Sequence, residues 1–101
     1  MKLLTDEIRK KLPKLKETEG VPTEDKIVIC TFFNPIGLGI WHAIEGEEED
    51  EDFIFWGLAE IYEQELGYFS LNELESVTLP LGQKIEREFH SREIRLKEFL
   101  K

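Results

Sequence analysis

Phe53-Ile54-Phe55-Trp56-Gly57-Leu58-Ala59-Glu60-Ile61-Tyr62 decides the fold, because it can be read as a helix or as a strand. Three aromatics, two isoleucines and a glycine within its first nine residues favour a strand, since β-branched and aromatic side chains lose rotamer freedom against a helical turn. Both faces of that strand are largely apolar. Upstream, Lys26-Ile27-Val28-Ile29-Cys30-Thr31-Phe32-Phe33 has the same character and stops at Asn34-Pro35, which predicts a second strand, and a central one. Ile36-Gly37-Leu38-Gly39 makes a turn. Ile40-Trp41-His42-Ala43-Ile44 then alternates, with Ile40, His42 and Ile44 on one face and Trp41 and Ala43 on the other. Between this strand and Phe53 lies Glu45-Gly46-Glu47-Glu48-Glu49-Asp50-Glu51-Asp52, which reads as a solvated acidic loop.

The ends of the chain read as short helices. Thr5 is an N-cap followed by Asp6 and Glu7, Leu4, Ile8 and Leu12 recur every four residues, and Pro13 closes the helix. Residues 16–26 are polar and form a loop. Gly67 turns the chain towards Ser70-Leu71-Asn72-Glu73, a capping box that opens a short helix through Leu71 and Leu74. Pro80 and Gly82 turn the chain again. Lys84 to His90 alternates as an edge strand would, with Ile85, Arg87 and Phe89 opposite Glu86, Glu88 and His90; a helix through Ile85, Phe89 and Leu96 is the alternative. Leu96, Phe99 and Leu100 predict a closing helical turn. The expectation is one α+β domain over residues 1–101. It has a three- to four-stranded, mainly antiparallel sheet with short helices at the N-terminus, after the third strand and at the C-terminus.

With 101 residues the chain can bury one core and not two. Its net charge of −9 is unevenly placed: no Lys or Arg stands between Lys26 and Lys84, while twelve carboxylates do. Such a middle repels nucleic acid and attracts basic surfaces. The single Cys30 cannot form an internal disulfide, which points to a reducing, cytoplasmic setting, and no apolar stretch approaches the ~20 residues of a membrane span. Two Asn and two Gln among many Glu and Lys lean towards a thermophile.

Several words in the sequence are specific. Met1-Lys2-Leu3-Leu4-Thr5-Asp6-Glu7-Ile8 continuing to Leu12-Pro13-Lys14-Leu15, Phe55-Trp56-Gly57-Leu58, and above all Glu65-Leu66-Gly67-Tyr68-Phe69-Ser70-Leu71-Asn72-Glu73-Leu74-Glu75 resemble domain-of-unknown-function family 2958. Pro80-Leu81-Gly82 with Ile85-Glu86-Arg87 completes the likeness, which covers essentially the whole chain. The resemblance implies a small bacterial protein carried on plasmids and other mobile elements. It implies no activity, cofactor or catalytic residue.

The residues point to action from the surface. Glu47, Glu48, Glu49, Asp50, Glu51 and Asp52 would steer a basic partner, and Trp41 and Trp56 would anchor it. The partner is a basic protein surface, such as that of a nucleic-acid-binding protein whose groove a dense run of carboxylates can imitate. No direct nucleic-acid binding, membrane contact, cofactor or metal site is expected, since the run lacks the calcium-loop spacing and Cys30, His42 and His90 lack zinc spacing. The other reading is a small enzyme or ligand-binding domain using His42 and Cys30 with nearby carboxylates. A third is a homodimer whose aromatic face is its own interface. The two principal readings separate on geometry: an enzyme needs His42 or Cys30 in a concave pocket with other polar groups.

Overall fold

The computed structural model describes residues 1–101. Five strands form one antiparallel sheet: β1 (Cys30–Phe33), β2 (Ile40–Glu49), β3 (Asp52–Glu60), β4 (Gln64–Ser70) and β5 (Glu86–Phe89), in spatial order β4-β3-β2-β1-β5. Two short helices, α1 (Asp6–Lys11) and α2 (Leu71–Ser76), and three single 3₁₀ turns complete the chain. The α+β class is as expected, with five strands in place of three or four. No helix is long and apolar enough to cross a membrane.

The strand reading of residues 53–62 holds: β3 lies inside the sheet, pairing with β2 on one side and β4 on the other. The first strand is shorter than expected, its ladder beginning at Cys30 and not at Lys26, and two larger expectations change. The acidic run is not a loop, because β2 continues through Glu49 and pairs Glu45–Glu49 with Trp56–Asp52, leaving only Asp50 and Glu51 as the turn. Glutamate has little intrinsic taste for strands, but here the carboxylates find donors across the sheet edge, as described below. The second change is β4. Gly67 does not turn the chain; it sits in mid-strand opposite Gly57.

The register also sorts the two faces. Cys30 pairs with Ala43 and Thr31 with His42, so successive positions alternate between opposite sides. On one side Cys30, Phe32, Ala43, Phe53 and Phe55 lie beneath Leu3, Leu4, Ile8, Leu12 and Leu74. The Phe55 ring centres this layer, 5.1 Å from Phe32, 5.0 Å from Phe53 and 5.2 Å from Phe69. Thr5 caps α1 by accepting from Ile8 N, and Ser70 caps α2 by accepting from Glu73 N, so both helices begin where the sequence places them. On the other side Val28, Ile44, Leu58 and Leu96 form a smaller cluster, with Trp56 and Phe99 against it. Leu96 arrives with the C-terminal segment, which is stitched to residues 26–28 by Val28 N to Ile94 O and Leu96 N to Lys26 O. A bulge between Ala43 and Glu45 shifts the β2–β3 register by one residue and turns Glu45 to this second side, beside Ile44.

Candidate functional site

The acidic hairpin divides into side chains already engaged and side chains left free. Buried Glu45 accepts from Lys16 N at 2.8 Å, from Thr18 N at 3.0 Å and from the Thr18 hydroxyl. Burial pushes its carboxyl up, but the Thr18 and Lys16 hydrogen bonds and the Lys26 charge outweigh that and hold it below the ordinary carboxylate value. Glu47 accepts from Leu15 N at 2.8 Å, and Glu48 pairs with Arg9. Asp52 accepts from the Ser70 hydroxyl, from Asn72 N at 3.0 Å and from Phe53 N at 2.7 Å. Glu47, Glu48 and Asp52 therefore hold the hairpin against its neighbours. Glu49, Asp50 and Glu51 remain exposed at the tip without ion-pair partners.

The two tryptophans are half-buried. Trp41 lies against the larger core layer, and Trp56 carries the Lys26 ammonium 5.4 Å from its ring centre. The open aromatics are Tyr62, 91% exposed, and Tyr68, 60% exposed.

The other chemistry gathers on the second side of the sheet, at the far end from the hairpin tip. His42 Nε2 lies 2.8 Å from Glu60 Oε2, and His42 Nδ1 lies 2.9 Å from Thr31 Oγ1. That same hydroxyl lies 2.8 Å from His90 Nε2. One assignment satisfies every contact with both imidazoles neutral. His42 Nε2–H donates to Glu60, the Thr31 hydroxyl donates to His42 Nδ1, and His90 Nε2–H donates to Thr31 Oγ1. Glu60 also accepts from Gln64 Nε2 at 3.0 Å, and the same nitrogen donates to Phe99 O at 2.7 Å. Phe99 stacks on His42 with ring centroids 4.0 Å apart.

Burial pushes the His42 pKa below its ordinary value, with Glu60 opposing. Burial likewise lowers His90; Glu88 opposes, while His42 and Arg92 add to the fall. Burial raises Glu60, but the hydrogen bonds from His42 and Gln64, with the charges of His42 and Lys101, bring it net below the usual carboxylate range. With His42 neutral near pH 7, hydrogen bonding is the part of this that operates.

Beside His42 opens a cavity of about 620 Å³. Its walls include Thr31, Phe33, Ile40 and Phe99, and its charged lining is Glu60, Glu88, Glu98 and Lys101. Cys30 takes no part: it faces the other side of the sheet, fully buried, and burial pushes its thiol up to about 12 with Arg87 opposing. A Cys–His pair is thereby ruled out, which corrects the reading that joined Cys30 to His42. Thr31 and Glu60 were not singled out by sequence. Their signal was present all the same, as an isolated hydroxyl and an isolated acid within apolar strands.

The fold and this cavity define a small α+β domain with a buried histidine–threonine–glutamate network opening on an acidic pocket. The chain belongs to the family described as "Protein of unknown function (DUF2958)", whose model matches residues 3–101. No curated protein and no solved structure matches it.

Proposed function

We propose that this protein is a non-catalytic binding module that takes a basic group of a protein partner into the cavity over His42. One observation carries the reading: Glu60, Glu88 and Glu98 line a single cavity walled by Phe33 and Phe99, against one cation, Lys101. A lysine or arginine side chain entering there meets carboxylates and aromatic faces together, and desolvation strengthens both contacts. The hairpin tip plays a separate part. Glu49 ends β2 nine residues from Ile40, roughly 30 Å at ~3.3 Å per residue, with Asp50 and Glu51 in the turn beyond it, so the three steer the encounter without touching the same group. A surface with two anionic ends suits the basic groove of a nucleic-acid-binding protein, whose cations are spaced to meet phosphates.

Titration calorimetry with an arginine-rich peptide tests this. Glu88→Gln and Glu98→Gln should each weaken binding about two- to fivefold, as expected for partly solvated charges. The tip variant Glu49→Gln/Asp50→Asn/Glu51→Gln should slow association and leave dissociation nearly unchanged. Affinity indifferent to salt and to the Glu88 and Glu98 changes removes the proposal.

The Glu60–His42–Thr31 geometry favours a second reading, a small enzyme in which the carboxylate orients a neutral imidazole as a base. Against it, Thr31 is only 6% exposed and its oxygen is already shared with His90. Carbethoxylation of His42 in the folded protein supports the enzyme; an imidazole that reacts only after unfolding removes it.

A further inference from the structure

The two edges of the sheet are built differently. β5 is four residues long, three of them charged, and Arg87 reaches from it to the carbonyls of Lys2 and Leu3. Those are the devices that keep a strand edge from recruiting another chain. β4 has no such clamp and a single charge. Its seven residues, Gln64-Glu65-Leu66-Gly67-Tyr68-Phe69-Ser70, contain one charge, no lysine and no proline, and pair with β3 in continuous register without a bulge. Backbone hydrogen bonds outside the helices and ladders do not involve residues 64–70, so the outward donors and acceptors of β4 are free. Leu66 and Tyr68, opposite Leu58 and Trp56, share one face of the strand and are 45% and 60% exposed.

The side chains of β4 also match themselves. In an antiparallel pairing with a second β4 about a two-fold axis at Gly67, Leu66 stands opposite Tyr68 of the other copy, Glu65 opposite Phe69, and Gln64 opposite Ser70. The lone carboxylate never faces itself. Leu66–Tyr68 occurs twice by symmetry, and two glycines meet at the axis, where nothing lies within 4 Å of an added Cβ. We propose that β4 is a dimerisation edge: two copies join their sheets through it into one ten-stranded sheet, with Leu66 and Tyr68 as the paired side chains. This stands apart from the cavity over His42 and does not depend on it.

The charge of the chain gives the proposal its own signature. Two molecules of net charge −9 repel, so salt should promote this association while it weakens the capture of a basic partner. Sedimentation velocity of the full chain at about 0.05 M and about 0.5 M NaCl is the experiment. A dimer that grows with protein concentration and with salt is expected. Leu66→Lys and Tyr68→Lys should weaken it about tenfold or more, since each change acts at both symmetric pairs. Circular dichroism and melting under monomeric conditions should be unchanged, because both side chains are exposed. Hydrogen exchange adds a check without mutation: amides of β4 should gain protection with concentration, and those of β5 should not. A monomer at every concentration to about 1 mM overturns the proposal. So does dimerisation untouched by both lysine variants, or an edge that takes up unrelated extended peptides while two copies never pair.

Discussion

His42 shows how far single residues could be followed from sequence. Its alternation with Ile40 and Ile44 predicts a partly buried, hydrogen-bonded imidazole, and the structure has it 3% exposed between Glu60 and Thr31. The identity of those partners was out of reach, because the diagonal approach of Glu60 depends on the β2–β3 register. The network has a consequence in pH. Both histidines titrate below the ordinary value of 6.5 in the folded chain, so on acidification the unfolded chain takes up protons first. Stability is therefore highest above pH 6.5 and falls as pH drops through that value. Below about 4.5 a second loss follows, because Glu45 and Glu60 are held below their ordinary value and must be protonated. Denaturant melts between pH 8 and pH 5 should show the first decline, and His42→Gln should flatten it. A stability that rises between pH 7 and pH 5 contradicts the neutral assignment of the pair.

At the scale of elements, the strands with two apolar faces were legible because hydrophobic runs bounded by Asn-Pro and Gly signal leave few alternatives. β4 and the acidic half of β2 were not. Gly67 carries a turn signal in isolation, and seven acids in eight positions carry a loop signal. In each case tertiary partners decided otherwise: the β3 ladder for Gly67, and the amides of residues 15–18 for Glu45 and Glu47. The facing pair Gly57 and Gly67 turns this into a measurement. A Cβ on Gly57 would fall 1.8 Å from the backbone oxygen of His42, which no rotamer change relieves, whereas one on Gly67 would meet nothing within 4 Å. Gly57→Ala should therefore cost at least the ~1–3 kcal/mol of overpacking, since the strand itself must move. Gly67→Ala should fall within about 0.5 kcal/mol of the parent or gain slightly by restricting the unfolded chain. Equal effects in urea melts would mean that β2 can yield at His42 without loss of the ladder to β3.

Across the whole molecule, charge is the quantity that no single contact describes. The flanks are near neutral and the middle carries twelve carboxylates without one Lys or Arg, so the field arises from β2, β3, β4 and α2 and the segments joining them. Local devices soften it: Arg9 reaches Glu48, Lys26 lies over Trp56 near Glu45, and Lys101 lies 3.5 Å from Glu60. Each of these cations comes from outside the acidic stretch, so the N- and C-terminal segments are held partly by the field they neutralise. The remaining repulsion opposes compaction. Raising NaCl from about 0.02 M to about 0.2 M shortens the screening length from roughly 20 Å to roughly 7 Å, which quenches repulsion across the sheet more than the close pairs. The melting temperature should rise over that range. A gain of about 1 kcal/mol corresponds to ~4–8 °C for a domain of this size. Two features separate screening from other effects of salt. The gain should level off beyond ~0.2 M, where a water-structuring salt effect would keep rising. It should also persist at protein concentrations too low for strand pairing, where a dimer contribution fades. A melting temperature that falls with added salt would mean that the few ion pairs outweigh the acidic middle, and that the net charge is a poor guide to how this chain meets its surroundings.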